Sequence, residues 1–163
     1  LATPVFLSLY VENDLRLDKY FAETDEKGFR KNKKAGSNNY LCTFRVGEIY
    51  LTAAEAAARL GELSQARTRL LELMRKRYAP EAYEAKSVVV NAMDKEALVQ
   101  EILDERAREL AFEGHRWFDL RRSTRPRLEK VLDGTRYVLE ENDARYTLAI
   151  PKEAIEANPG LLN

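Results

Sequence analysis

Residues 105–122 read ERARELAFEGHRWFDLRR. Glu105, Glu109 and Glu113 recur at i, i+4 and i+8, so on a helix they form one row that drifts by roughly 40° per step. Three acids on one face repel unless cations answer them. Arginines stand close by at Arg106, Arg116, Arg121 and Arg122, and a guanidinium can pair with a carboxylate through two parallel hydrogen bonds. Upstream, Leu98, Val99, Ile102 and Leu103 supply an apolar face. Asp94 is a good N-cap and Gly114 a good stop, so the spacing predicts a helix from Asp94 to about Glu113. A short fourth helix is expected over Arg116–Ser123, limited by Pro126. The expected product is an ion network that ties these two helices, and with them the chain's first clear helix, together and fixes their register.

Working outward, a helix is expected from Phe44 to Leu60, with Val46, Ile49, Tyr50, Ala53, Ala57 and Leu60 on one stripe. Gly61 supplies a left-handed stop. A second helix follows from Ser64 to about Tyr78, with Ala66, Leu70, Leu73, Met74 and Tyr78 inward. Arg75, Lys76 and Arg77 suit the negative end of its dipole. So short a connection makes the two helices antiparallel neighbours. Small alanines, then Leu-Gly, then a helix opening on Ala66, resemble one tetratricopeptide-type pair.

The flanks are weaker in pattern. Residues 5–9 alternate in a way that suggests an extended segment. Lys27–Lys34 carries five cations among glycine and asparagine and is expected as a solvated loop. Residues 79–93 read as a connection with an extended piece at Val88–Val90. Arg136–Leu139 and Tyr146–Ile150 are expected to pair as a hairpin around Glu141-Asn142-Asp143. Lys152–Glu156 allows one last turn. The expectation is a single, mainly α domain over residues 1–163, with tetratricopeptide-like helix pairs and a small C-terminal β-hairpin.

The 27 basic and 27 acidic residues balance, which argues against a dedicated nucleic-acid surface. Cys42 is the only cysteine, so an internal disulfide is excluded, and its apolar surroundings, Tyr40–Phe44, suggest a buried inert thiol. No apolar run reaches the length of a membrane helix. The chain opens on Leu1 inside structured sequence, as a fragment of a longer protein would. Phosphate-cradling glycine loops, G-x-S-x-G and C-x-x-C are absent from the sequence. Glu105 and Glu109 could be imagined as the carboxylate pair of a glycoside hydrolase, but such pairs flank a bond across a cleft rather than share a helix face. His115, the only histidine, lies two residues after Glu113, not at the Glu-x-x-His spacing of a carboxylate-bridged metal site. Structural ion pairing is therefore favoured, with no catalytic residue, metal or cofactor expected. Trp117 is expected in the core, with Leu120 at i+3 beside it. Tyr78 and Tyr83 are the better candidates for exposed, ligand-facing aromatics.

The stretches at residues 45–77, 102–122 and 148–163 are similar, in order and spacing, to the C-terminal region of SusD/RagB proteins. The middle one is the most specific, through Glu105, Arg106, Glu109, Leu110, Glu113, Gly114, Arg116, Asp119, Leu120 and Arg122. Ile150-Pro151, Glu153 and Asn158-Pro159 match the terminal signature, and Asn13-Asp14-Leu15-Arg16 looks like the segment ahead of the first helix. The resemblance implies a non-enzymatic, nutrient-binding lipoprotein on the outer face of the outer membrane. It implies helical scaffolding, a SusC-type TonB-dependent transporter as partner, and an oligosaccharide or other nutrient as ligand. A lipid anchor would lie on an N-terminal part not present in this chain. It also implies that Glu105, Arg106, Glu109, Glu113, Arg116, Asp119 and Arg122 are scaffold residues, not ligand contacts. The competing expectation is a helical module that binds a protein or peptide.

Overall fold

The computed structural model describes residues 1–34, 45–158 and 160. Tyr40–Phe44, with Cys42, lie outside the described residues. In chain order the elements are α1 (Pro4–Leu7), α2 (Arg16–Tyr20), β1 (Phe21–Thr24), β2 (Arg30–Asn32), α3 (Val46–Leu60), α4 (Leu63–Met74), α5 (Pro80–Ala92), α6 (Lys95–Glu109), α7 (His115–Arg122), β3 (Leu128–Leu132), β4 (Thr135–Leu139) and α8 (Lys152–Ala157). The fold is mainly α. Two compact units divide within α7, Leu1–Arg116 and Trp117–Asn163.

In the first unit, α3 packs against α4 and α6, and α4 also touches α5. Gly61 ends α3 at φ +86°, where its N–H caps Ala57 and Ala58 carbonyls. The core joins Leu51, Ala54 and Ala58 of α3 to Ala66, Leu70 and Met74 of α4, with Val90, Leu98 and Ile102. Each large aliphatic side chain so buried contributes about 1.5–3 kcal/mol. The buried face of α3 differs from the expected stripe. Val46, Ile49 and Leu60 are 67%, 49% and 77% exposed, while Gly47, Leu51, Ala54, Ala57 and Ala58 face inward, with Glu55. Small residues let neighbouring helices approach closely, and that approach rather than side-chain bulk sets the face.

Four further expectations are corrected. Residues 79–93 are not an extended connection: Pro80 is the first residue of α5, because its fixed φ and missing N–H suit that position. The β-branched Val88 and Val89 are carried on its exposed side. Residues 5–9 are not a strand. Thr3 accepts a hydrogen bond from the Phe6 N–H and Pro4 follows it, which starts α1. Lys27–Lys34 is not a free loop. It spans the turn and second strand of an antiparallel β1–β2 pair, with Phe21 opposite Asn32 and Thr24 opposite Arg30. Finally, α4 ends at Met74 rather than Tyr78, which releases Arg77 and Tyr78 for contacts elsewhere.

The second unit contains the hairpin, but with different strands. β3 pairs with β4 in the register Leu128↔Leu139 to Leu132↔Thr135. Asp133 and Gly134 join them at φ +48° and +77°, the two positive-φ residues of a tight hairpin turn. Tyr146 is not in a strand. It closes a 3-10 turn at Ala144–Tyr146, its hydroxyl donates to the Pro126 carbonyl, and its ring stacks on Trp117 at 5.2 Å. Trp117 is thus half-buried against an aromatic partner.

Candidate functional site

Glu105 and Glu109 lie one turn apart on α6, and both are fully buried. Arg16 reaches them from the start of α2. Its Nε and Nη2 donate to the two Asp14 oxygens at 2.9 and 2.8 Å. Its Nη1 donates to Glu105 Oε1 at 2.7 Å and to Glu109 Oε2 at 3.2 Å. One guanidinium thereby serves three carboxylates. The other Glu105 oxygen accepts from Arg108 Nε at 2.8 Å and from the Tyr78 hydroxyl at 3.0 Å. The Tyr78 hydroxyl in turn accepts from Arg16 Nη2 at 2.9 Å.

Glu109 collects two more arginines. Arg77 grips both its oxygens, Nε on Oε2 at 2.8 Å and Nη2 on Oε1 at 2.9 Å. Arg45, just ahead of α3, donates to Oε1 at 2.6 Å. Arg45 also reaches Glu113 at 2.7 Å, and Lys34 makes a close ion pair with the same carboxylate. The row does not stay on one helix: α6 stops at Glu109, so Glu113 stands beyond it. The reason is local. The Glu109 carbonyl is taken by Lys34 Nζ at 2.6 Å and Arg45 Nη1 at 2.9 Å, so cations replace the next helical N–H. Phe112, at φ +62°, then turns the chain back to pack edge-on against Phe6 and Phe21.

Burial alone would push the Glu105 carboxyl up, but Arg16 and Arg108 outweigh it and hold the group at about 2. Glu109 is also held below the ordinary range: burial raises it, and the hydrogen bonds and charge of Arg77, with Arg16 and Arg45, overcome that. Burial pushes the Tyr78 hydroxyl up, so it remains a protonated donor. Both glutamates are therefore ionised, saturated with donors and closed to solvent.

The remaining motif residues have partners of their own. Arg106 is buried and donates to Thr52 at 3.2 Å. Arg116 reaches the Leu103 carbonyl at 3.5 Å. His115 lies 3.5 Å from Glu48. Asp119 is buried and takes Arg122 Nη2 at 2.6 Å within α7. The cations on Glu105 and Glu109 are thus, apart from Arg108, not those next to them in sequence. Arg16, Arg45 and Arg77 lie 89, 64 and 32 positions from their carboxylates. Sequence reasoning missed all three as partners; only Asp14-Leu15-Arg16 left a trace, as a segment similar to the family pattern.

Gly47 shows how tightly α3 rests on the cluster. A Cβ there would lie 2.8 Å from Glu109 Oε1, an oxygen already fixed by Arg45 and Arg77 and unable to swing away. Alanine ordinarily favours a helix over glycine by up to about 1 kcal/mol. Here the overlap wins, and Gly47→Ala is expected to destabilise by about 1–3 kcal/mol. A urea melt checks it; a midpoint at or above that of the wild type would contradict the close approach.

Tyr78 and Tyr83, paired in the sequence reading, separate. Tyr78 is 2% exposed and belongs to the ion cluster, so it presents no face to a ligand. Tyr83 is half-buried and lines an open cleft of about 460 Å³ with Tyr50, Thr68, Glu72, Arg75 and Lys76.

Residues 10–163 match the SusD family, and the chain belongs to it. SusD-like protein P38 of Formosa agariphila is 31% identical over 115 residues, 70% of this chain and 22% of that protein. A SusD-like carbohydrate binding protein from Bacteroides vulgatus, known from its crystal structure, superposes with a TM-score of 0.64 at 19% identity. That likeness covers 96% of this chain and 40% of the other, and it establishes the shared fold. The chain thus spans about a fifth of the curated relative's length and two-fifths of the solved one's.

Proposed function

We propose that this chain is the C-terminal helical scaffold of a nutrient-binding protein that captures glycans at the outer-membrane surface without altering them. The observation that carries this reading is the match to the SusD family over residues 10–163. The carbohydrate-binding description of the Bacteroides vulgatus protein supports glycan as the ligand class. Delivery to a SusC-type TonB-dependent transporter, and attachment through a lipid anchor on an N-terminal segment, follow from the same family reading. Among the described residues no helix is long and apolar enough to cross a membrane. Binding rather than hydrolysis is supported by the state of Glu105 and Glu109: buried, ionised and occupied by arginines.

Affinity electrophoresis of the full-length protein through gels cast with different polysaccharides tests this. Retardation by at least one polysaccharide, with no release of reducing ends, is expected. Passage through every gel unretarded, with capture of a peptide pool instead, would favour the alternative of a peptide-binding helical module. Co-purification of a TonB-dependent transporter from outer membranes tests the partnership.

A further inference from the structure

We infer that the cleft formed by α3, α4 and the start of α5 is a subsite for the acidic substituent of a charged glycan, a carboxylate or a sulfate ester. The inference rests on the glycan-binding reading above and deepens it. The cleft holds about 460 Å³, within the range of small-ligand sites. Tyr50 and Tyr83 are half-buried, packed on the core below, and among the described residues neither hydroxyl makes a hydrogen bond. Arg75 and Lys76, at the end of α4, are exposed and have no ion pair among the described residues. Of the other polar groups, the Thr68 hydroxyl donates to the Ser64 carbonyl, and Glu72 faces Arg69 at 3.3 Å.

Cations at a helix C-terminus complement the dipole, and that accounts for the charges by themselves. It does not account for two tyrosines with free hydroxyls lining the same cleft. A sugar ring lays its C–H face on an aromatic ring, while the phenol hydroxyls and the cations bind its polar edge. The planar fork of Arg75 matches the two oxygens of a carboxylate or sulfate, and Lys76 adds a point charge. With Glu72 already engaged by Arg69, the cleft keeps two unanswered cations, which a neutral sugar would leave unpaired. The balance of 27 basic and 27 acidic residues argues against a nucleic acid as the occupant, which needs a net basic face.

The test uses the full-length protein and affinity electrophoresis through polygalacturonate, carrageenan and neutral galactan, at low and at high NaCl. The expected result is retardation by an acidic polymer that falls with salt. In the Arg75→Gln/Lys76→Gln double variant that retardation weakens by about ten-fold or more, while thermal stability and any retardation by galactan stay as in the wild type. Tyr83→Phe, which keeps the packing, is expected to weaken it less. Retention by polygalacturonate alone identifies a carboxylate, and by carrageenan alone a sulfate ester; either supports the subsite. Unchanged retention of the double variant, salt-independent retention, or retention by galactan only would overturn the subsite and leave the glycan-binding reading standing. Failure of the wild type to bind any polysaccharide would overturn both.

Discussion

Replacing Arg16 with methionine is expected to lower the free energy of unfolding by about 3–5 kcal/mol, as loss of one partner from a buried ion pair does. Arg16 is 2% exposed and spends every side-chain nitrogen on a partner: Asp14, Glu105, Glu109 and Tyr78. Methionine fills part of the volume but answers none of the carboxylates. Asp14 loses its bidentate partner, and Glu105 retains only Arg108 and the Tyr78 hydroxyl. The destabilisation should therefore exceed what lost packing causes. Urea denaturation measures it. In a double-mutant cycle, Glu105→Gln in the Arg16→Met background should be less damaging than in the wild type, because the unpaired charge has gone. A loss of stability under about 1 kcal/mol for Arg16→Met would mean that water reaches these carboxylates.

The second large effect is acid sensitivity. The Glu105 carboxyl lies near 2 in the folded protein, below its ordinary 4.5. A group depressed on folding adds stability that is fully present above the unfolded value and is lost as pH falls through the folded one. Between pH 4.5 and 2 the protein should therefore lose on the order of 3 kcal/mol through Glu105, and Glu109, lowered in the same direction, adds to it. Thermal melts across this range read the slope. In Glu105→Gln the slope should flatten, with stability already reduced at neutral pH. A melting temperature independent of pH from 5 to 2 would contradict the depressed carboxylates.

What was legible in the sequence was local. Gly61 stops α3, Asp94 caps α6 by accepting the Ala97 N–H at 2.9 Å, and the apolar side of α4 is the buried one. These features depend on neighbours a few positions apart. Other signals were present but outweighed by a competing pattern. Thr3-Pro4 marks a helix start more strongly than the alternation over residues 5–9 marks a strand. Asp133-Gly134 marks the hairpin turn more strongly than Glu141-Asn142-Asp143 does. In α5 the valines argued for an extended chain, and Pro80 at its first position was the better guide. The exposed Val46 and Ile49 could not be foreseen from periodicity, since what turns α3 is the fit of Gly47 to Glu109.

The charge cluster divides along the same line. The row of acids was visible, and so was its need for cations. Which cations answer it was not, because Arg16, Arg45 and Arg77 come from the start of α2, from just before α3 and from just after α4. Their convergence is a product of tertiary packing, and no spacing rule reaches that far. The same packing takes Tyr78 inside and leaves Tyr83 on an open cleft. Two tyrosines five positions apart thus acquire separate surroundings, one in the interior network and one half-buried at an open cleft.

The most direct test of Glu105 as part of the scaffold, and not of the binding surface, is the affinity of full-length Glu105→Gln for a polysaccharide that retards the wild type. Titration calorimetry below the variant's melting temperature is expected to give an unchanged Kd, alongside a lowered melting temperature. Loss of affinity with an unchanged melting temperature would place Glu105 at the ligand and contradict the account.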